Sequence, residues 1–164
     1  MRKFQIGVVG YNDDKCTPDA KKIAFEVGKE IALSKSVLVC GGLGGVMKYA
    51  CKGAKKYEGI TVGIIPQEEF SFANKYCDIV ICSTVRYARN FIVAASVDAL
   101  IIIGGGSGTL NELTIGYMYK KKMIAISGSG GVAKSYGGKY LDERKRVKIM
   151  TAISAEEAVK KALQ

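Results

Sequence analysis

Seven short apolar runs, each leading into a glycine-rich or polar turn and separated by helical patterns, constrain this chain more than any other feature. They cover residues 4–9, Val37–Cys40, Ile60–Ile65, Ile79–Cys82, Ala99–Ile103, 123–126 and 147–150. A strand with one wet face alternates apolar and polar residues. A run that is apolar throughout has both faces covered, the condition of a strand inside a parallel sheet. The intervening segments supply the covering helices. Thr17-Pro18-Asp19 is a helix start, with an N-cap hydroxyl, a proline in the first turn and an acid favourable to the helix dipole. Ile23, Val27 and Ile31 then repeat down one face to about residue 34. Further helices are expected over 46–56, 86–97 and 109–121, and from Ser154, where Ser154 and Glu157 stand at capping-box spacing. The whole of residues 1–164 reads as one α/β domain: a doubly wound, mainly parallel, Rossmann-like sheet with helices on both faces. Residues 128–142, rich in glycine and weakly periodic, read as a surface loop before the last strand.

Composition narrows the chemistry. There is no histidine, which removes Ser-His and Cys-His nucleophiles and the commonest zinc ligand. Catalysis must use carboxylates, arginine, lysine, tyrosine, hydroxyls or backbone, and no metal or cofactor site is expected. Lysine and arginine number 25 against 15 acids, for a net charge of +10. The basic residues are scattered, which favours small anions over a nucleic-acid groove. Five cysteines form no C-x-x-C pair and read as buried thiols of a reducing compartment. With no signal-peptide pattern and no apolar stretch long enough for a bilayer, a soluble cytoplasmic protein is expected.

In a doubly wound sheet, ligands bind beyond the carboxyl ends of the strands. Those ends carry Tyr11 and Asn12 after the first strand, Gly41-Gly42-Leu43-Gly44-Gly45 after the second and Glu68 after the third. Arg86 and Arg89 follow the fourth, and Gly104-Gly105-Gly106-Ser107-Gly108-Thr109 with Glu112 follow the fifth. Asp78 and Asp98 precede their strands and belong to the opposite edge. Each glycine loop enters a helix, an arrangement that leaves backbone N–H groups and a positive dipole end open to phosphate. Neither is a dinucleotide fingerprint or a P-loop: the first turn has only Gly7-x-x-Gly10, and G-x-x-x-x-G-K-[ST] is absent.

Gly105-Gly106-Ser107-Gly108-Thr109-Leu110-Asn111-Glu112 resembles the P-G-G-x-G-T-x-x-E motif of the "lysine decarboxylase-like" family, the LOG (Lonely guy) phosphoribohydrolases. Gly41 to Met47 is similar to that family's second glycine loop, and Arg89 stands where the family has the arginine of an Arg-Lys pair. The resemblance spans residues 4–126 and is shared with molybdenum cofactor carrier proteins and, more distantly, with the DNA-processing protein A group. Gly104 replaces the motif's proline, Asn111 a frequent first glutamate and Asn90 the lysine, which places the chain nearer the carrier-like branch.

The resemblance implies a small phosphorylated ligand, with two outcomes open. As a hydrolase, the chain would cleave the N-glycosidic bond of a nucleoside 5′-monophosphate. Glu112 would then act at the ribose, and Arg89, with Arg86, at the phosphate or leaving base. Gly41, Gly42, Gly44, Gly45, Gly105, Gly106, Ser107, Gly108 and Thr109 would hold phosphate, and Tyr11 and Asn12 would border the base. As a carrier, it would bind a ligand such as molybdenum cofactor without turnover. Single-stranded DNA binding is a third, weaker reading, and lysine decarboxylation is excluded because this one domain offers no room for a pyridoxal pocket. The resemblance also implies a homo-oligomer, for which the helix around Leu113, Tyr117 and Met118 is the candidate contact.

Overall fold

The computed structural model describes residues 2–164, which form one seven-stranded sheet, all pairs parallel, in the order β4-β3-β2-β1-β5-β6-β7. The strands are β1 (Gln5–Gly10), β2 (Val37–Cys40), β3 (Ile60–Ile65), β4 (Ile79–Cys82), β5 (Ala99–Ile103), β6 (Lys122–Ile126) and β7 (Met150–Ala152). The helices are α1 (Pro18–Leu33), α2 (Gly45–Lys56), α3 (Arg89–Ala95), α4 (Ser107–Met118), α5 (Gly131–Tyr136) and α6 (Ala155–Leu163). The chain builds outward from β1 to β4, then returns to place β5 on the other side of β1. That reversal opens a crevice between the carboxyl ends of β1 and β5.

Local chemistry sets the helix starts. Thr17 Oγ1 accepts the Ala20 N–H at 3.1 Å. Ser154 Oγ accepts the Glu157 N–H at 3.1 Å, while Glu157 Oε2 accepts the Ile153 N–H at 2.8 Å. Together α1, α2 and α6 cover one face of the sheet around Ile6, Val8, Leu38, Ile101 and Ile124. On the other face α3, α4 and α5 pack around Val9, Val39, Leu100, Ile102 and Met123. Two glycines let α1 and α2 touch backbone to backbone. A Cβ on Gly28 would lie 1.9 Å from the Ala50 carbonyl oxygen, and one on Gly53 would lie 2.0 Å from that of Phe25. Neither contact tolerates a side chain.

Five expectations change. The first concerns β4, which is not covered on both faces: Ile79 and Ile81 are about half exposed, because β4 is an edge strand beyond the reach of the seven-residue α3. The last strand sits at 150–152, since only those residues register with β6. The segment 128–142 is not wholly a loop, because α5 lies within it. Residues 86–97 divide into a 3-10 turn (Arg86–Ala88) and α3, with Arg86 at φ 50. A positive φ at a non-glycine residue cannot continue a right-handed helix. Finally, Leu113 and Tyr117 are core residues on α4, fully or nearly buried, which leaves Met118 and the adjoining Tyr119 as exposed apolar residues at its end.

Candidate functional site

The crevice beside β1 and β5 opens into a cavity of about 850 Å³. This is within the range of small-molecule sites. Tyr11, Asn12, Leu43, Met47, Gln67, Glu68, Arg86, Tyr87, Arg89, Asn90, Gly106, Ser107, Gly108, Thr109 and Glu112 are among its lining.

The amino end of α4 is its open, positive pole. Gly106 is the N-cap, no side chain caps the helix, and no acid lies in its first turn. A Cβ on Gly106 would meet nothing within 4 Å, so ligand can approach the backbone there. The loop is braced from behind. Ser129 Oγ accepts the Gly104 N–H at 2.8 Å, and the N–H groups of Val132 and Ala133 donate to the carbonyls of Gly105 and Gly104, each at 3.0 Å. The glycine-rich 128–142 segment therefore buttresses the loop that leads into α4. Gly105, at φ 99, packs under Thr109 and is not part of the lining. Thr109 is itself buried, its hydroxyl donating to the Gly10 carbonyl at 3.1 Å.

Gly104 explains the missing proline. Its φ is 60, whereas proline is fixed near −65°. The ring of Tyr11 occupies the space a side chain would need, with Cε2 only 2.0 Å from the position of a Cβ. Tyr11 thus lies in the wall with one part of its ring seated on glycine.

The other glycine loop has different work. Gly41, Gly42, Gly44 and Gly45 are not in the cavity lining. Asp13 Oδ1 accepts the Gly45 N–H at 2.8 Å, and the Tyr11 carbonyl accepts that of Val46 at 2.9 Å, so the first two N–H groups of α2 already have partners. Gly44 leaves room for the Asp13 carboxylate, and Gly41 leaves room for the Arg89 guanidinium, whose Nη1 lies 2.2 Å from where a Cβ would stand.

Arg89 and Glu112 meet inside this frame. Nη1 of Arg89 is 3.6 Å from Oε1 of Glu112, and both side chains are almost completely buried, 11% and 8% exposed. Burial pushes the Glu112 carboxyl up to about 7, the opposing pull of the Arg89 charge notwithstanding. The same guanidinium donates from Nη1 to Asn90 Oδ1 at 3.1 Å. Asn90 is therefore a site residue that the sequence left as a mere departure from a motif. Its signal was adjacency to the arginine. Gln67 was also missed: it lines the cavity with Oε1 buried and without a hydrogen-bond partner. A buried acceptor left open in a cavity is completed by a ligand donor or by water. Arg86 and Glu68 stand on the rim. Asp98 and Asp78 lie at the other sheet edge, where they bind Arg2 and the Gln5 N–H, and Lys55 and Thr61, respectively.

No helix among the described residues is long and apolar enough to cross a membrane, and none of their side chains form a metal-binding cluster of His, Cys, Asp or Glu.

An uncharacterised protein of Archaeoglobus fulgidus is 40% identical over 126 residues, 77% of this chain and 82% of that protein. A cytokinin riboside 5′-monophosphate phosphoribohydrolase of Mycobacterium marinum is 31% identical over 119 residues, 66% of this chain and 63% of that protein. Among solved structures, the molybdenum cofactor binding protein of Rippkaea orientalis superposes with a TM-score of 0.86 and 33% identity, covering 98% of this chain and 95% of that one. Residues 3–159 match the SLOG cluster4 family, and the chain belongs to it.

Proposed function

We propose that this chain binds a nucleoside 5′-monophosphate, or a closely similar phosphorylated ligand, and hydrolyses its N-glycosidic bond to free base and ribose 5-phosphate. Glu112 carries the reading: a buried carboxylate that titrates near 7 beside a buried arginine, one turn into the helix whose open end suits a phosphate. The Mycobacterium marinum relative, named as a phosphoribohydrolase, supports it. Phosphate bound at Gly106, Ser107 and Gly108 brings the ribose over Glu112. The ionised carboxylate stabilises the cation that develops at the anomeric carbon and orients the attacking water. Water adds at that carbon, and the base leaves with the proton. Arg89 binds the phosphate or the leaving base, and Gln67 Oε1 accepts a hydrogen bond from the ligand.

The test is incubation with AMP and a panel of other nucleoside monophosphates, followed by chromatography for free base. Because Glu112 must be ionised, the rate should fall about tenfold per pH unit below about 7 and level off above it. A flat profile would reject this role for Glu112. No base from any nucleotide, together with stoichiometric retention of a ligand, would establish the second reading, a non-catalytic carrier for a ligand such as molybdenum cofactor. That reading is favoured by the near full-length similarity to the Rippkaea orientalis protein.

We also propose a homodimer in a cytoplasmic setting, which five free cysteines suit. Ile79, Ile81, Phe91, Ile92 and Tyr119 are exposed apolar residues, and the Phe91 and Tyr119 rings pack edge to face with centroids 5.6 Å apart. A second copy covering these residues removes them from water. Sedimentation should give a dimer, and Ile81→Lys with Phe91→Glu should give a monomer. A wild-type chain monomeric at micromolar concentration would overturn the dimer.

A further inference from the structure

We propose that Cys40, Cys51 and Cys77 form an oxidation site, at which a peroxide converts two of the three thiols to a disulfide. The three come from distant parts of the chain: the end of β2, the middle of α2 and the turn before β4. Their sulfurs nevertheless lie together, with 3.5 Å between Cys40 and Cys51 and 4.0 Å between Cys51 and Cys77. A disulfide needs an approach to about 2.05 Å, a shift of about 1.5 Å for the first pair and about 2 Å for the second.

The three thiols are graded by access. Cys40 and Cys51 are buried, whereas Cys77 is only half-buried. The neighbouring Cys40 and Cys51 thiols hold the Cys77 thiol below its usual range, and interaction with both neighbours, reinforced by burial, holds Cys51 above it. Accessibility and thiolate character thus select Cys77 as the entry point. Its thiolate attacks one peroxide oxygen, forming a sulfenic acid and releasing hydroxide, which takes up a proton to become water. Sγ of Cys51 then attacks the sulfenic sulfur, loses its own proton and expels the oxygen as a second water. Two thiols are oxidised and one peroxide is reduced to two waters. Cys40, its sulfur 3.5 Å from that of Cys51, can take over the bridge by thiol–disulfide exchange, which releases Cys77 again.

The site lies under the wall of the cavity. The Gly42 N–H donates to Sγ of Cys40 at 3.3 Å. Three residues before Cys77, the Asn74 side-chain amide donates to the carbonyls of Gly42 at 3.1 Å and Leu43 at 3.0 Å, and the Cys77 N–H donates to the Asn74 carbonyl at 3.1 Å. Leu43 and Met47 are in the cavity lining. Drawing Cys77 toward Cys51 therefore pulls on the clamp that shapes residues 42–47.

The experiment treats the reduced full-length chain with hydrogen peroxide, blocks remaining thiols and maps the products by mass spectrometry. The expected result is a loss of two hydrogens, with a bridge joining Cys51 to Cys77 or to Cys40 and with Cys16 and Cys82 still alkylated. Amide exchange at residues 42–47 should be faster in the bridged chain. Cys77→Ser should slow bridge formation at least tenfold, while Cys82→Ser should leave it unchanged. A bridge that includes Cys82, accumulation of sulfinic acid at Cys77 without a bridge, or an unchanged rate in Cys77→Ser would overturn the proposal, as would unchanged exchange at 42–47 for its link to the cavity.

Discussion

Glu112→Gln is expected to abolish base release and to remove a pH dependence from the stability of the fold. The two effects share one cause. The folded chain holds the Glu112 proton up to about 7, while the unfolded chain releases it near 4.5. Between those values the folded state binds more protons than the unfolded state, so stability falls as pH rises through this window. A displacement of that size corresponds to about 3 kcal/mol, at 1.36 kcal/mol per pH unit. Arg89 is charged in both proteins, so it cancels in the comparison. Urea unfolding at pH 5 and pH 8 should therefore show the wild type losing roughly 2–3 kcal/mol more than the variant, most of that displacement. The rate should drop by roughly 10²–10⁴, the usual worth of a positioned acid–base group. Phosphate binding should survive, since the amino end of α4 is untouched. Parallel stability curves for the two proteins would show that Glu112 is not the titrating group.

The second large effect is expected from one methyl group outside the cavity. Gly41 does not have a positive φ, so alanine is compatible with its backbone. The added Cβ would nevertheless stand 2.2, 2.5 and 2.6 Å from Nη1, Cζ and Nη2 of Arg89. The guanidinium must leave, and its hydrogen bond to Asn90 and its pairing with Glu112 go with it. Gly41→Ala should then copy Arg89→Ala: ligand affinity weakened roughly 10–100-fold, the scale of a lost charge-assisted hydrogen bond. The titration of Glu112 should also move further up, because the one group pulling it down has gone. Isothermal titration with AMP and a pH–rate profile measure both. Unchanged affinity together with an unchanged profile would mean that Arg89 does not act from the position Gly41 allows.

Much of the architecture was legible because strands buried on both faces are written as uninterrupted apolar runs, and four of the seven have the bounds the sequence suggests. Ile79 and Ile81 show where that reasoning stops: their run is as apolar as its neighbours, but apolarity does not reveal whether a helix is long enough to cover it. The 128–142 segment hid α5 because one and a half turns are too short for periodicity to register. At the site, Thr109 and Glu112 could be picked out because they follow a glycine loop at the start of a helix in a pattern that resembles a known motif, and Arg89 because it follows the fourth strand at the position where that family has an arginine. The work of Gly41 to Gly45 could not. Glycine in a sequence announces an empty volume without saying what fills it, and here the occupants, the Asp13 carboxylate and the Arg89 guanidinium, come from 32 residues before Gly45 and 48 residues after Gly41. Asn90 and Gln67 gave no signal of their own, since an amide side chain has no spacing rule and acquires meaning only from its neighbours.

Asp13, seated at the amino end of α2, has one more consequence. Two helices direct their starts toward this rim, but a carboxylate quenches one pole while the other stands bare. An entering anion therefore meets an uneven field, attractive toward α4 and neutralised toward α2. For the phosphorylated ligand proposed above, this asymmetry favours one orientation, phosphate toward Gly106 and the uncharged part along the Tyr11 and Leu43 side, so the pocket has a direction as well as a shape.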